Sequence, residues 1–594
     1  MDFFAQQDAA RRRSRGLVVW YAVAVAAVIA SYCAVAAPLY AFATLWAGEY
    51  RTYLEALKAV PLRLYLIVAG AVGGFIVAVS AYRMWQLSNG GPAIAEFLGA
   101  RYVESGRCTL AERRLVNVVE EMAIASGLSV PPLYILDHDD AINALVAGYS
   151  PNEAVIIVTQ GAARKLSRDE LQGMMGHEFS HILNGDMALN LRLVGVLAGL
   201  TWFSDAAERL ILETAWANRG LPREKRGSGA AAALLAGLVA FIGFPATLAA
   251  DAIKAAISRQ RERLADAAAV QFTRNPDAIA GALDSILALR AHTAVRALHA
   301  ELFSHMFFAP AAPRWWRPPT HPPILERIAF AHPRFKRDDY RARRHGTPKE
   351  VAVIDGGGNV VKNVRLDVGL AAVGNPGRQH VDHAARLLET LPPRLREALR
   401  RPDGARAAML ELLRGELAPR EHMLALAELA VPALKGEPQK ARDAFIAELG
   451  AAAEGDRRVT LREFVLVTFL RQRLREGAGQ PIRTQYRSVQ ELAADAHVVV
   501  SLVALSSPRT AEAFAKGAAV LRLGWQEPAS ALDTKKVGEA LERLRHLAPL
   551  AKPAVLKACL EAAGADGVFH RPEIELVRMV AATLDCPVPP ALPA

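Results

Sequence analysis

Two uncharged runs near the amino terminus constrain this chain more than any other feature. Gly16 to Gly48 is 33 residues without a charge, and Leu64 to Tyr82 is a further 19. About 20 helical residues cross the hydrocarbon core of a bilayer, whereas a secretory signal has an apolar region of only about 7–15. The first run therefore reads as an uncleaved membrane helix and the second as its return. With no water to pair backbone amides, such segments must be helical. Arg11, Arg12, Arg13 and Arg15 precede the first run, which favours a cytoplasmic amino terminus. Two spans then bring the chain back to the cytoplasm.

Composition agrees. Hydrophobic residues make up 52% of the 594, and mean hydropathy is +0.14, high for a soluble chain of this size. The net charge of +11 is spread along the sequence with no aromatic-rich basic module. That pattern suits an anionic lipid surface and argues against nucleic acid as a partner. Cys33, Cys108, Cys559 and Cys586 form no CxxC pair, so neither a cysteine zinc site nor a disulfide framework is expected.

Two later stretches are ambiguous. Leu193 to Ser204 is only 12 uncharged residues, and Gly227 to Ala250 is 24. Between them lie Arg209, Arg219, Arg223, Lys225 and Arg226, which a spanning hairpin would leave outside, against the positive-inside tendency. Spanning helices and helices buried in protein fit equally well. Elsewhere, Leu110–Leu128 reads as an amphipathic helix, Pro131–Asp137 and Ala154–Thr159 as short strands, and Ser167–Asn184 as a long helix opened by a Ser167/Glu170 capping box. Three glycines, Gly356 to Gly358, mark a turn between short strands. From about His380 onward apolar residues recur at helical spacing.

The long helix carries GHEFSHILNGD. His177 and His181 are four apart, so both imidazoles lie on one helical face where they can grip one ion. Glu178 is suited to act on water beside that ion as a general base. A catalytic zinc takes three protein ligands and keeps a position open. The metzincin pattern would need Gly and His where this chain has Asn184 and Met187, so that class is excluded. RQRERLADAAAVQF, Arg259 to Phe272, offers Glu262 as a third ligand and Asp266 as a carboxylate to orient a ligating imidazole. On spacing alone, a surface helix salt-bridged through Arg261 and Arg263 accounts for that segment equally well.

Taken together, HEFSHILNGD, RERLADAAAV and THPPILERI (Thr320 to Ile328) resemble the HtpX-like membrane zinc peptidases, whose core is shared with the prenyl-protein endoproteases. The resemblance runs from about Gly90 to Arg334. It implies one zinc ion held by His177, His181 and Glu262, with Glu178 as catalytic base. NALVAG, Asn143 to Gly148, matches the family's NAFAxG segment apart from Leu145 and Val146, which implies substrate binding at Asn143 and Ala144. An extended substrate strand is expected along that edge, paired through its main chain. His321 falls in the family's HP segment, as an oxyanion donor or a regulatory ligand. The alternative is a turn histidine held by Pro322 and Pro323. The 81 residues from His181 to Glu262 imply an insertion that holds the zinc close to the membrane.

ADGVFHRPEIELVRMV (Ala565 to Val580) and GDRRVTLREFVLV (Gly455 to Val467) resemble a TerB-like, tellurium-resistance-type domain. Asp566 with Glu573, or Asp456 with Glu463, can be metal contacts, but an N-cap followed by a first-turn acid is the commoner arrangement.

The expected fold is a mostly α membrane protein: a gluzincin-type α+β metallopeptidase core with two to four membrane helices, plus an all-α C-terminal domain. Expected boundaries are a basic tail at 1–15, two spans in 16–86, a peptidase domain at 87–348 with apolar helices near 190–212 and 227–250, a linker at 349–379 and a helical TerB-like domain at 380–594. The expected function is zinc-dependent endopeptidase action on membrane or misfolded proteins in quality control. The enzyme is expected in the inner cell membrane, with its site facing the cytoplasm and a possible protein partner for the helical domain. The alternative is a non-proteolytic membrane scaffold or stress sensor. A prenyl-protein processing enzyme is disfavoured, because that fold needs a larger barrel of spanning helices.

Overall fold

The computed structural model describes residues 3–104, 108–217, 229–288, 295, 297, 300, 302–310, 321–345, 376–417, 422–454, 459–474, 484–529, 532–565 and 570–589. Helix α1 (Phe3–Trp46) and helix α3 (Leu62–Gln86) form an antiparallel pair joined through the short α2 (Tyr53–Lys58). Tyr21–Trp46 within α1, and Leu62–Asn89, which is α3 with the short helical turn that follows it, are long and apolar enough to cross a membrane. Val23, Val35, Leu39 and Phe42 on α1 and Leu62, Leu66, Ile67 and Val77 on α3 are exposed. A soluble surface rarely shows so continuous an apolar face, whereas lipid requires one.

After α4 (Gly91–Phe97) comes a four-stranded sheet with an α-helical layer. The strands are β1 (Arg101–Tyr102), β2 (Leu133–Leu136), β3 (Ala144–Ala147) and β4 (Val155–Thr159), in the order β1-β2-β4-β3. β2 and β4 are parallel, with Ile135 opposite Val158, while β1 and β3 run antiparallel to their neighbours. β2 and β4 fall within the two stretches expected as strands. β1 was not expected, because two residues are too few for an alternating pattern to register.

Helix α5 (Leu110–Ser126) starts in a Thr109/Glu112 capping box and ends at Gly127, whose φ of +70° favours glycine. After α6 (Gln160–Lys165) comes α7 (Arg168–Asn184), with the expected Ser167/Glu170 box and a left-handed Gly185 after its last turn. Helix α7 lies at the centre, packed on α5, α9 (Gly229–Thr273), α10 (Pro276–Ala288) and β3.

The two ambiguous apolar stretches belong to longer helices. Leu193–Ser204 lies inside α8 (Asp186–Ala217), 32 residues long. Gly227–Ala250 lies largely in α9, a 45-residue helix that runs on through Glu262. Charge ends an apolar run but not a helix, since Asp, Lys, Arg and Glu are all tolerated there. α8 crosses α3 closely. A Cβ on Gly199 would lie 2.2 Å from the Ile76 carbonyl oxygen, Ser80 Oγ donates to Val196 O at 2.7 Å, and Gly199 N–H donates back to Ser80 Oγ at 3.2 Å. Gly195 and Gly199 thus form a small-residue face that lets α8 approach α3 closely. Ala24 and Val28 of α1, Ile76 of α3, Leu193, Leu197 and Leu200 of α8, and Ala246 and Ala250 of α9 share one apolar cluster.

Helices α11 (Ile324–Ala331) and α12 (Arg337–His345) close the peptidase region. The remainder is all-helical: α13 (Arg378–Thr390), α14 (Pro393–Leu399), α15 (Pro402–Arg414), α16 (Met423–Lys435), α17 (Gln439–Ala453), α18 (Leu461–Leu474), α19 (Ala493–Leu505), α20 (Thr510–Leu521), α21 (Thr534–Arg545), α22 (Lys552–Ala563) and α23 (Arg571–Thr583). These helices are joined to the peptidase region by a continuous apolar core that runs from Val103 to Cys586. Asp456, Asp566, the glycine turn at 356–358 and most of the expected linker lie outside the described residues. Glu463 and Glu573 accept backbone N–H groups from Thr460 at 2.7 Å and His570 at 2.8 Å, which are helix N-terminal roles.

Candidate metal centre

Because α7 is regular, His177 and His181 project from one face, with Nε2 atoms 3.2 Å apart. Glu262 of α9 meets them: its Oε2 is 3.6 Å from His177 Nε2 and its Oε1 3.7 Å from His181 Nε2. Among the described residues these are the one group of three or more His, Cys, Asp or Glu whose ligand atoms converge, all within 4.8 Å. Both outer ring nitrogens are engaged by carboxylates. His177 Nδ1 is 2.9 Å from Asp266 Oδ1, and His181 Nδ1 is 3.4 Å from Asp186 Oδ2. Such partners place the proton on Nδ1 and leave both Nε2 lone pairs pointing inward.

Each of these carboxylates is in turn held by an arginine. Arg327, 1% exposed, donates from Nε to Asp266 Oδ2 at 2.8 Å and from Nη2 to Oδ1 at 2.7 Å. Arg261 donates from Nε to Asp186 Oδ1 at 2.8 Å and from Nη1 to Asn190 Oδ1 at 2.8 Å. Burial alone would raise both acids. The arginines and histidines outweigh it, holding Asp186 at about 2 and Asp266 well below the carboxylate range.

The inner groups behave oppositely. Burial pushes Glu178 up to about 8 and Glu262 up to about 7. Burial also pushes His177 down to about 3 despite Asp266, so that imidazole is neutral. For His181 burial is outweighed by Asp186 and Glu262, and its pKa is raised. Both Glu178 oxygens and Glu262 Oε2 are buried with no hydrogen-bond partner. The Val146 N–H of β3 faces Glu178 without reaching hydrogen-bond geometry. Buried polar atoms are rarely left so. A divalent cation between the three residues satisfies the two inward lone pairs and gives Glu262 Oε2 the ligand bond it lacks. Two imidazole nitrogens and one carboxylate are a zinc donor set, and tetrahedral ligands at about 2.0–2.1 Å lie roughly 3.3 Å from one another. The residues present fit zinc.

His321, 1% exposed, points its Nε2 at the Phe307 carbonyl at 2.7 Å and lies 3.8 Å from Glu262 Oε2. Burial pushes its pKa down to about 3, so a neutral ring donates to a carbonyl beside the metal-ligand cluster.

Asn143 and Ala144 are placed differently from the expectation of an open edge. Their side of β3 is occupied by the chain itself. Phe308 N–H donates to Ala144 O at 2.7 Å, Leu145 bridges Phe307, and Asn143 exchanges two hydrogen bonds with the Ala309 backbone, at 2.9 and 3.0 Å. The Phe308 ring stands edge-on to His177 with centroids 5.0 Å apart. Asn143 is fully buried, and its side chain grips the protein's own main chain.

Three features escaped the sequence reading. Asp186 lies inside HEFSHILNGD, five residues after His181, but its role depends on the left-handed turn at Gly185. Arg261 looked like a surface charge. Arg327 lies in THPPILERI, six residues after His321, where an arginine on a short helix gives no signal of being buried.

A family model described as peptidase family M48 matches residues 109–334. The chain is 31% identical over 279 residues to a protease HtpX homolog of Streptococcus pneumoniae (strain Taiwan19F-14), an alignment spanning 44% of this chain and 87% of that protein. The homolog from strain Hungary19A-6 gives the same identity and coverage. No solved structure matches. The chain belongs to peptidase family M48, as an HtpX-like metalloprotease.

Proposed function

We propose that this membrane-associated metalloprotease is a zinc-dependent endopeptidase that hydrolyses extended segments of membrane or misfolded proteins. The observation that carries the reading is the convergence of His177 Nε2, His181 Nε2 and the Glu262 carboxylate beside an unpaired, buried Glu178. His177, His181 and Glu262 would hold the ion, one per chain. Zinc, when bound, supplies Lewis-acid polarisation of a peptide carbonyl and acidification of water. Glu178 takes up a proton from the attacking water and delivers it to the leaving amine. Its proton affinity near neutrality in a dry site suits both halves of that exchange. Asp266 and Asp186 hold the Nδ1 protons, which turns both Nε2 atoms toward the metal position. His321 is a hydrogen-bond donor toward carbonyl oxygen at this site.

Substrate main chain pairs with β3 beyond the part already taken by Phe307 and Phe308, near Val146, which faces Glu178. Backbone pairing recognises extension more than sequence, which suits unfolded clients and a role in protein quality control. Contact of α8 and α9 with α1 and α3 supports a multi-pass anchor in which this second pair enters the bilayer beside the first. Arg11, Arg12, Arg13 and Arg15, in the part of α1 that precedes its apolar run, support a cytoplasmic amino terminus in the inner membrane. Since α3 returns the chain, the site then faces the cytoplasm. A separate protein partner for the C-terminal helices belongs to this reading as well.

The test uses full-length protein in proteoliposomes. Zinc content and cleavage of an unfolded protein such as casein are measured for wild type and Glu178→Gln. Wild type is expected to hold one zinc and cut. The variant is expected to hold zinc and lose activity by about 10²–10⁴-fold. Equal cleavage by both, or no zinc in either, refutes the reading and leaves the scaffold alternative.

A further inference from the structure

Between β3 and β4 the chain turns through a short helical turn, Pro151–Glu153, and there it meets the C-terminal helices. Asn152 is 5% exposed. Its Nδ2 donates to Gln472 O at 3.0 Å and Arg473 O at 3.2 Å. These carbonyls belong to the last turn of α18, where no intrahelical N–H remains to satisfy them. Its Oδ1 accepts from Ser129 Oγ at 2.8 Å, just past the end of α5. Its own carbonyl accepts from Lys435 Nζ at the end of α16. One buried side chain thus caps a helix 320 residues further on, ties it to α5, and holds the turn of the hairpin whose first strand is β3. A second tie lies close by, where Arg473 Nη2 donates to Gly127 O at 3.2 Å.

β3 has only four residues. Val146 faces Glu178, the Ala144 carbonyl holds Phe308, and β3 packs on α7. Where β3 sits therefore sets the width of the gap beside the metal-ligand cluster. We propose that Asn152 is a positioning residue, through which the C-terminal helices fix β3 against the catalytic helix. Both ends of the amide are used, so no other side chain of that size substitutes. Aspartate keeps the Ser129 bond but turns an oxygen toward two carbonyl oxygens at the negative end of α18.

The kinetic part of the proposal rests on the peptidase reading; the structural part does not. The experiment compares wild type, Asn152→Asp, the milder Ser129→Ala, and Asp495→Asn, all in full-length protein. Asp495→Asn weakens the Arg543–Asp495 pair inside the C-terminal helices and serves as a control altered away from Asn152, with the Tm of every variant measured alongside. Amide hydrogen exchange of segments covering 144–147 is read beside steady-state kinetics on an unfolded substrate. Asn152→Asp is expected to speed β3 exchange by about tenfold or more and to raise KM about tenfold with kcat changed less than about twofold. Ser129→Ala shows the same change in smaller measure, and Asp495→Asn shows neither. Unchanged β3 exchange in Asn152→Asp, or equal acceleration in the control, overturns the proposal. If exchange responds while wild type cuts nothing, the peptidase reading falls and the positioning role stands.

Discussion

Asp266→Asn tests the metal centre at the point where its design is most exposed. The carboxylate is fully buried and accepts from two groups, the neutral His177 imidazole at 2.9 Å and the Arg327 guanidinium at 2.7 and 2.8 Å. An amide is isosteric but neutral, and one of its two ends is a donor. With its oxygen in the Oδ1 place it still accepts from His177 Nδ1 and Arg327 Nη2, but its NH2 then meets Arg327 Nε donor to donor, and the negative charge that balanced the guanidinium is gone. Arg327 then keeps a buried charge whose nearest remaining anion is Glu262, with Nη1 to Oε2 at 3.5 Å. Removing one partner of a buried pair costs about 3–5 kcal/mol. Drawing Glu262 toward Arg327 also withdraws it from the metal. Loss of a carboxylate behind a ligating histidine weakens metal binding by about 10–100-fold, or roughly 1.4–2.7 kcal/mol. Zinc affinity is read by chelator competition and stability by thermal denaturation of the metal-free protein. In Asp266→Asn/Arg327→Met the orphaned cation is gone, so stability recovers for the most part while zinc affinity stays low. Zinc affinity within about twofold of wild type in the single variant, or no recovery of stability in the double, refutes the argument. The acid limb adds a check. Because the folded pKa of Asp266 is depressed, its stabilisation is present above the unfolded value near 4 and is lost as pH falls through the folded value. The variant should lack that component.

Further expectations follow from the same geometry. Glu262 and Glu178 have folded pKa values raised to about 7 and about 8, so the metal-free protein binds more protons than the unfolded chain across that range, and its Tm should fall as pH rises from about 4.5 toward 8. Zinc must displace the proton from Glu262 and, below its raised pKa, from His181 as well, so zinc affinity should rise by more than about tenfold per pH unit below about pH 7, measured by titration at three pH values. Glu178→Gln should reduce the first of these slopes, leaving the Glu262 part, without shifting the second, because the protons that zinc displaces are on its ligands Glu262 and His181. Gly199→Val drives a side chain into the Ile76 carbonyl, 2.2 Å from its Cβ. It should destabilise the α3–α8 crossing by about 1–3 kcal/mol, seen as a lower Tm in detergent while Gly70→Val, with no atom within 4 Å, leaves it unchanged.

The helical layer was legible because its signals are local. The Ser167/Glu170 box, the i, i+4 histidines and the uncharged runs each lie within one or a few turns. The convergence of His177, His181 and Glu262 was readable only through the motif resemblance, since spacing left Glu262 and a salt-bridged surface helix equally plausible. What pattern could not supply were contacts between distant segments. The occupation of the β3 edge by Phe307 and Phe308 depends on a bridge across 162 residues, and a buried Arg327 has the same letters around it as an exposed one. Lengths of α8 and α9 were misjudged because charge was taken to end a segment when it only changes what the helix faces.

Helix α9 bears Ala246 and Ala250 in the cluster beside the spans and Glu262 at the metal-ligand cluster. From Ala246 to Glu262 is 16 residues, about 24 Å of continuous helix at 1.5 Å per residue. A lever of that length converts a tilt of roughly 2° into a shift of about 0.8 Å at its end, comparable with the tolerance of a catalytic constellation. In the proposed anchor, where the lower half of this rod enters the bilayer, lipid thickness there would be communicated to the carboxylate at its upper half, and the bond-breaking geometry would inherit the mechanical state of the surrounding lipid.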